Sequence, residues 1–264
     1  MKIRLDNRTA LVTGSTRGIG LATARNLASA GATVYINGRT EDSVESAVKH
    51  LSATDQSTSF IPLPADVTTE AGIAYIKQTI PDIDILVSNA AVFDWIEFFD
   101  TTEEDWLDHF KTNVLPAVGL ARHYMPGMFA RKWGRIVLVA SEAGFNIPVD
   151  MIHYGVAKAA EIALARGLAE LTRGTGITVN SVLPGPTASD GADTFLENYA
   201  AEHNLPIADA EAHLVHNIRP TSLLGRLATC EEVANIITYI CSVQASATNG
   251  AALRAEGGIL RHPG

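Results

Sequence analysis

Cysteine is scarce in this sequence: 264 residues contain two, Cys230 and Cys241. They flank one predicted helix, about three turns or ~16 Å apart, too far for a disulfide within it. Both are read as reduced core residues of a cytoplasmic protein. Long apolar runs are missing too. No stretch approaches the roughly 18 residues that a membrane helix needs, so no membrane partner is expected. The opening "MKIRLDNRTALVTG" has neither an apolar h-region nor a small-residue cleavage pattern, and no signal peptide is expected. Basic charge is not in excess. The formal net charge is −9, with no block of one sign, which argues against nucleic acid or an anionic bilayer as partner. An anionic ligand held by local arginines stays possible. Low-complexity tracts, linkers and repeats beyond a strand–helix unit are also lacking. One domain over residues 1–264 is therefore predicted.

What is present is alternation. "TALVTG", "ATVYI", "SFIPLPADV", "DILVSNA", "GRIVLVAS" and "GITVNSVLPG" read as short buried strands, and "AALRAEGG" as a short last one. The prolines weaken the third. Helices are expected over Gly18–Ala30, 41–53, 103–130 and 152–173. The β-branched runs are continuous rather than strictly alternating, which suggests strands covered on both faces. The pattern predicts an α/β fold: a doubly wound parallel sheet of the Rossmann type, about seven strands with helices on both faces. Residues 186–222 are polar and longer than a βα connection needs. A long excursion after a strand's C-terminal end reads as a lid or binding loop.

Strand one runs into "TGSTRGIG", with Gly14, Gly18 and Gly20. Glycines there let the backbone turn tightly and approach a pyrophosphate, and the next helix offers free N–H groups and its positive end. Further on, "HYGVAK" sets Tyr154 and Lys158 at i and i+4, on one helix face. Bringing a tyrosine to a pKa near ~7 takes about three units, roughly 4 kcal/mol. An ammonium at ~4 Å under an effective dielectric near 20 supplies an interaction of about that size.

The glycine spacing is T-G-x-x-x-G-x-G, and with it the sequence resembles the short-chain dehydrogenase/reductase family over nearly its whole length. "DVT" at Asp66, "SNAA" at Asn89, Asn113 in "KTNV", Ser141, the Tyr154/Lys158 pair and "LPGPT" at Pro184 to Thr187 follow in the family's order. Ser88 and Ala91 depart from the family's N-N-A-G element. The resemblance implies that Gly14, Ser15, Arg17, Gly18, Ile19 and Gly20 hold a dinucleotide, with Asp66 and Val67 on the adenine side. It places Asn89 and Ala90 against the same cofactor, and Pro184, Gly185 and Thr187 as the wall behind the nicotinamide. Tyr154 and Lys158 also touch the cofactor in this family.

At the end of the second strand, where an NAD-selective enzyme carries an acid, stand Gly38 and Arg39. Arg17 lies on the side that the family assigns to the adenosine ribose. Two guanidiniums would grip a 2′-phosphate that an acid would repel, so NADP(H) is the expected cofactor and NAD(H) the alternative.

The resemblance further implies hydride transfer between a nicotinamide and a ketone or secondary alcohol, as in a carbonyl reductase. Tyr154 is the expected acid/base, Ser141 positions the oxygen, Lys158 tunes Tyr154, and Asn113 holds a water linking Lys158 to solvent. An NAD(H)-dependent alcohol dehydrogenase of the same family is an alternative. A non-catalytic dinucleotide-binding regulator is another, against which the intact Ser141, Tyr154 and Lys158 set argues. The family pairs the helices over 103–130 and 152–173 across subunits, implying a homo-oligomer, dimer or tetramer.

Weaker features remain. His153 is assigned to packing or surface ahead of a substrate contact. His213 and His216 beside Glu211 have a metal-like spacing, yet hydride transfer needs no metal and none is expected. Phe93 and Trp95 suit either an apolar substrate pocket or a neighbouring subunit. Ile147, Val149 and Ile152 border the same cleft and point to a small-molecule substrate with an apolar part.

Overall fold

The computed structural model describes residues 2–54, 58–190 and 192–262. The chain alternates in the expected way: β1 Thr9–Val12, α1 Gly18–Ser29, β2 Thr33–Gly38, α2 Glu41–Thr54, β3 Ser59–Pro64, α3 Glu70–Thr79 and β4 Ile85–Ser88. There follow α4 Glu103–His109, α5 Leu115–Arg131, β5 Gly134–Val139, α6 Ile152–Leu171 and β6 Ile177–Pro184. The last third holds β7 Thr187–Ala188, α7 Ala192–Glu202, α8 Ile207–Ile218, β8 Ala228–Thr229, α9 Cys230–Ile240 and β9 Ala252–Ala255.

A seven-stranded sheet runs β3-β2-β1-β4-β5-β6-β9, with every neighbouring pair parallel. Successive strand residues point to opposite faces, and both faces are covered. Val12, Ile36, Val87 and Val139 pack with Leu27 of α1, Val44 of α2 and Ile237 of α9. Leu11, Leu86, Ile136 and Leu138 pack with Ile76 of α3, Leu120 of α5 and Ala165 of α6. Continuous apolar runs follow from that double burial. Pro62 and Pro64 keep their register opposite Ile36 and Gly38, which an edge strand such as β3 tolerates.

Three local features were not foreseen, the first being α3 itself, for which no helix was expected. The stretch expected as one helix over 103–130 is broken at Phe110–Val114, a π turn between α4 and α5. Thr102 starts α4 with a capping box, its hydroxyl accepting from Asp105 N–H while Asp105 accepts from Thr102 N–H. A second, two-stranded sheet pairs Thr187 and Ala188 with Ala228 and Thr229. The polar excursion over 186–222 contains β7, α7 and α8, and within it Gly191 lies outside the described residues. Cys230 opens α9 and Cys241 follows it, both free thiols; Cys241 is a core residue as expected, whereas Cys230 is half-buried and borders a surface cavity. Among the described residues no helix is long and apolar enough to cross a membrane.

Candidate active site

In an open parallel sheet the ligand crevice lies beyond the strand C-termini, where the strand order reverses. Here that point is between β1 and β4. Thr13 directly follows β1 and is fully buried. Its Oγ1 accepts the N–H of Asn89 at 2.9 Å and of Ala90 at 3.0 Å, fastening the loop after β4 to the loop after β1. Asn89 returns the favour, its Nδ2 donating to Thr13 O at 3.0 Å and Gly14 O at 3.1 Å. Gly14 has φ +61°, and a Cβ there would stand 2.9 Å from Ala90 Cα. A Cβ on Gly20 would lie 2.4 Å from Gly14 O and 2.5 Å from Asn89 Nδ2. The turn therefore closes only on bare backbone.

Asn37 of β2 braces the same turn from below. Its Oδ1 accepts Gly14 N–H at 3.3 Å, and its Nδ2 donates to Leu63 O and Ala65 O at 3.1 and 3.0 Å. Ser15 Oγ accepts Asn37 N–H at 2.9 Å and donates to Val12 O at 2.7 Å. Sequence reasoning missed Thr13 and Asn37; a buried polar residue at each strand's C-terminal end was the available signal.

α1 begins at Arg17 with no side-chain cap and no acid in its first turn. By contrast Thr69, Thr102 and Thr229 cap α3, α4 and α9. Uncapped N–H groups facing a glycine turn form an anion site, so the residues present fit a dinucleotide phosphate. Gly18 begins the helix, Ile19 is half-buried beside it, and Gly18 also borders a cavity of about 520 Å³ lined by Ser189, Asp193 and Cys230. Arg17 and Arg39 are exposed and have no ion-pair partner among the described residues. Gly38 is packed so that a Cβ would lie 2.5 Å from Thr16 Cγ2. Asp66 Oδ1 accepts from Thr68 N–H at 2.9 Å and Thr68 Oγ1 at 2.8 Å, and Val67 beside it is buried.

Ser141 follows β5. Its Oγ accepts Ala143 N–H at 3.1 Å and so caps the 3-10 turn Glu142–Gly144, leaving its own O–H to donate. Tyr154, in the first turn of α6, makes no hydrogen bond among the described residues through its hydroxyl. Its ring lies 6.4 Å from that of Phe93 and 6.3 Å from that of His109. Lys158 Nζ is 5.8 Å from the centre of the Tyr154 ring. It donates to Val139 O at 2.9 Å and lies 2.8 Å from Glu161 Oε2. The expected lone ammonium is thus one half of a buried ion pair.

Burial pushes the Glu161 carboxyl up to about 7, against the pull of Lys158. For Lys158 burial lowers the pKa, but Glu161 and then Tyr154 outweigh it and raise it above the usual ammonium value. The lysine stays cationic, and the carboxyl titrates near neutrality. Glu161 was not foreseen; its signal was a lone acid among the alanines of "AKAAEIALA".

Asn113 sits buried in the π turn, where Oδ1 accepts Val92 N–H at 2.8 Å and Nδ2 donates to Val92 O at 3.1 Å. Its side chain braces the loop after β4. π turns of this kind cluster at functional sites. His153 is fully buried, 4.3 Å from the His109 ring, with both ring nitrogens unbonded among the described residues. Burial, then His109, lowers its pKa.

Gly185 N–H donates to Ala255 O at 3.2 Å and Thr187 Oγ1 to Gly185 O at 2.9 Å, which fixes the chain leaving Pro184. Arg219, at the end of α8, pairs with Glu142 next to Ser141 at 2.6 Å. His213 meets Tyr199 and Asn217, and Glu211 accepts Leu227 N–H. No group of three or more candidate metal ligands occurs among the described residues. Phe93, Trp95, Ile147 and Val149 are exposed, Phe93 beside Tyr154, and Ile152 is half-buried.

The model of the short chain dehydrogenase family matches residues 8–200. The chain belongs to this family. It is an oxidoreductase of the short-chain dehydrogenase/reductase kind, with the family's Rossmann-type sheet. The uncharacterized oxidoreductase YvaG of Bacillus subtilis (strain 168) is 41% identical over 261 residues, 99% of each chain. The uncharacterized oxidoreductase YvrD of the same strain is 42% identical over 267 residues, again 99% of each. Among solved structures, L-sorbose reductase from Gluconobacter frateurii, complexed with NADPH and L-sorbose, superposes with a TM-score of 0.91 at 27% identity. That match covers 99% of this chain and 100% of the reductase.

Proposed function

We propose that this short-chain dehydrogenase/reductase is an NADP(H)-dependent oxidoreductase that interconverts a ketone and a secondary alcohol, with Tyr154 as acid/base. The observation that carries this is the unbonded Tyr154 hydroxyl, on the helix that follows Ser141, in a protein whose glycine turn suits a pyrophosphate. When bound, the nicotinamide supplies or accepts the hydride. Tyr154 donates its phenolic proton to the carbonyl oxygen, and takes it back in the reverse direction. Ser141, its lone pair occupied by Ala143 N–H, gives its O–H to the same oxygen and steadies the developing charge. The Lys158 cation favours the phenolate left behind. Asn113 keeps the loop after β4 in place through Val92.

Arg17 before α1 and Arg39 after β2, neither with an ion-pair partner among the described residues, and Gly38 in place of an acid at the end of β2 support NADP(H), and the similar L-sorbose reductase was solved with NADPH. Phe93, Trp95, Ile147 and Val149 would cover an apolar part of the substrate. We assign residues 186–222 to the lid of a single domain, α4 to α6 to the faces of a homo-oligomer, and the enzyme to the cytoplasm with both thiols reduced.

The test is NADPH oxidation over a panel of small ketones, alongside NADH, in wild type and Arg39→Asp. Wild type should turn over a ketone and prefer NADPH. Arg39→Asp loses a charge-assisted contact of about 1.5–3 kcal/mol, so the KM for NADPH should rise about 10–100-fold while that for NADH changes little. An unchanged ratio of the two KM values refutes the NADP assignment, and NADPH binding without turnover of any ketone refutes the reductase.

A further inference from the structure

A buried carboxylate stands beside Lys158 that proton transfer by Tyr154 does not require. Lys158 is 2% and Glu161 1% exposed, one turn apart on α6 and 2.8 Å apart. The contact is close but not aligned as a hydrogen bond, since Glu161 Oε2 has no hydrogen-bond partner among the described residues. The flanking positions Ala157 and Ala165 are buried as well. Burying an ion pair in such surroundings brings little net stability, and a packed apolar side chain usually does as well or better. The acid therefore needs another reason.

Its effect on the site follows from where the charges sit. Tyr154 faces the Lys158 ammonium across 5.8 Å, measured to the ring centre. With Glu161 neutral, that ammonium acts on the phenol as a full positive charge. With Glu161 ionised, a negative charge lies against the ammonium, and Tyr154 faces a dipole. We infer that Glu161 is a positioning residue: it holds the Lys158 ammonium on Val139 O and, through its own charge, sets the acidity of Tyr154. This rests on the proposed reaction at Tyr154.

Few other charges compete. Among the described residues Lys158 acts on Glu161 by its charge; Asp105 of α4 is bonded to Thr102, and Lys111 of the π turn is exposed. His153 on the same helix and His109 of α4 flank Tyr154 rather than Glu161, and burial disfavours charge on His153. Glu142 of the turn after β5 is paired with Arg219. β6 contributes no ionisable side chain, and Arg135 of β5 bonds Gly134 O, Gly176 O and Ser242 O at the strand's far end. Because burial carries the Glu161 carboxyl up to about 7, the carboxyl loses its proton across neutrality. As pH rises, the ammonium is progressively cancelled and Tyr154 becomes the weaker acid.

Glu161→Gln keeps the shape and removes the charge, so the ammonium acts in full at every pH. In cofactor-free protein, titration of the Tyr154 ring carbon by carbon-13 NMR should show its midpoint about 1–2 pH units lower than in wild type, with the resonance assigned by its loss in Tyr154→Phe. The pH profile of alcohol oxidation should move its rising limb to lower pH by a similar amount. A purely structural Glu161 would change thermal stability and leave both midpoints in place, and that result overturns the inference. Should Glu161→Gln not fold, Glu161→Met is read by the same criterion. Shifted NMR midpoints without any Tyr154-dependent turnover would uphold the charge coupling and refute the reaction. Tyr154-dependent turnover with unmoved midpoints would do the opposite.

Discussion

Thr13 shows at the scale of one residue how the site is held. Its single buried hydroxyl satisfies two backbone N–H groups, those of Asn89 and Ala90. Valine has nearly the same shape and no acceptor. Each stranded N–H costs about 1–3 kcal/mol, so Thr13→Val should lower stability by about 2–6 kcal/mol, read from the urea midpoint, and weaken NADPH binding. A midpoint equal to wild type would contradict the bracing role. The sequence hid Thr13 because its partners are 76 and 77 positions away. It showed Gly14, Gly20, Tyr154 and Lys158 because their chemistry is written in short fixed intervals. Glu161 obeys a short interval too, yet one acid on a helix reads as solvated until its burial is known.

At the scale of elements, period and punctuation predicted most strands and helices, and tertiary contacts decided the exceptions. β3 keeps two prolines because it is an edge. The helix expected over 103–130 opens into a π turn where Asn113 leans on Val92, a partner outside the helix. β7 and β8 are two residues each, too short to leave a pattern. The junction of β1 with α1 carries the clearest consequence. A methyl on Gly20 would meet Gly14 O at 2.4 Å, a backbone atom that cannot swing aside. Gly20→Ala should cost about 1–3 kcal/mol and weaken NADPH binding at least about tenfold, measured by fluorescence titration. Wild-type affinity in that variant would mean that the turn is looser than its contacts indicate.

For the whole molecule, strand order does the assembling. Placing β1 beside β4, and β5 beside β4, brings the ends of three strands together although their loops are far apart in sequence. The glycine turn, Asn89 and Ser141 come from those ends, and α6 adds Tyr154 and Lys158. Arg219 then ties the end of α8 to Glu142, beside Ser141. Doubly wound topology was legible from the repeated strand–helix units; the tie from α8 to the turn after Ser141 was not, because its arginine and glutamate lie 77 positions apart. Such a crevice should separate binding from chemistry, and Tyr154→Phe tests that most directly. NADPH affinity by fluorescence titration should stay within about twofold of wild type, while ketone-dependent turnover falls about 10²–10⁴-fold, the usual contribution of a general acid. Turnover near the wild-type rate, with NADPH still bound, would contradict the assignment of Tyr154 as the proton donor.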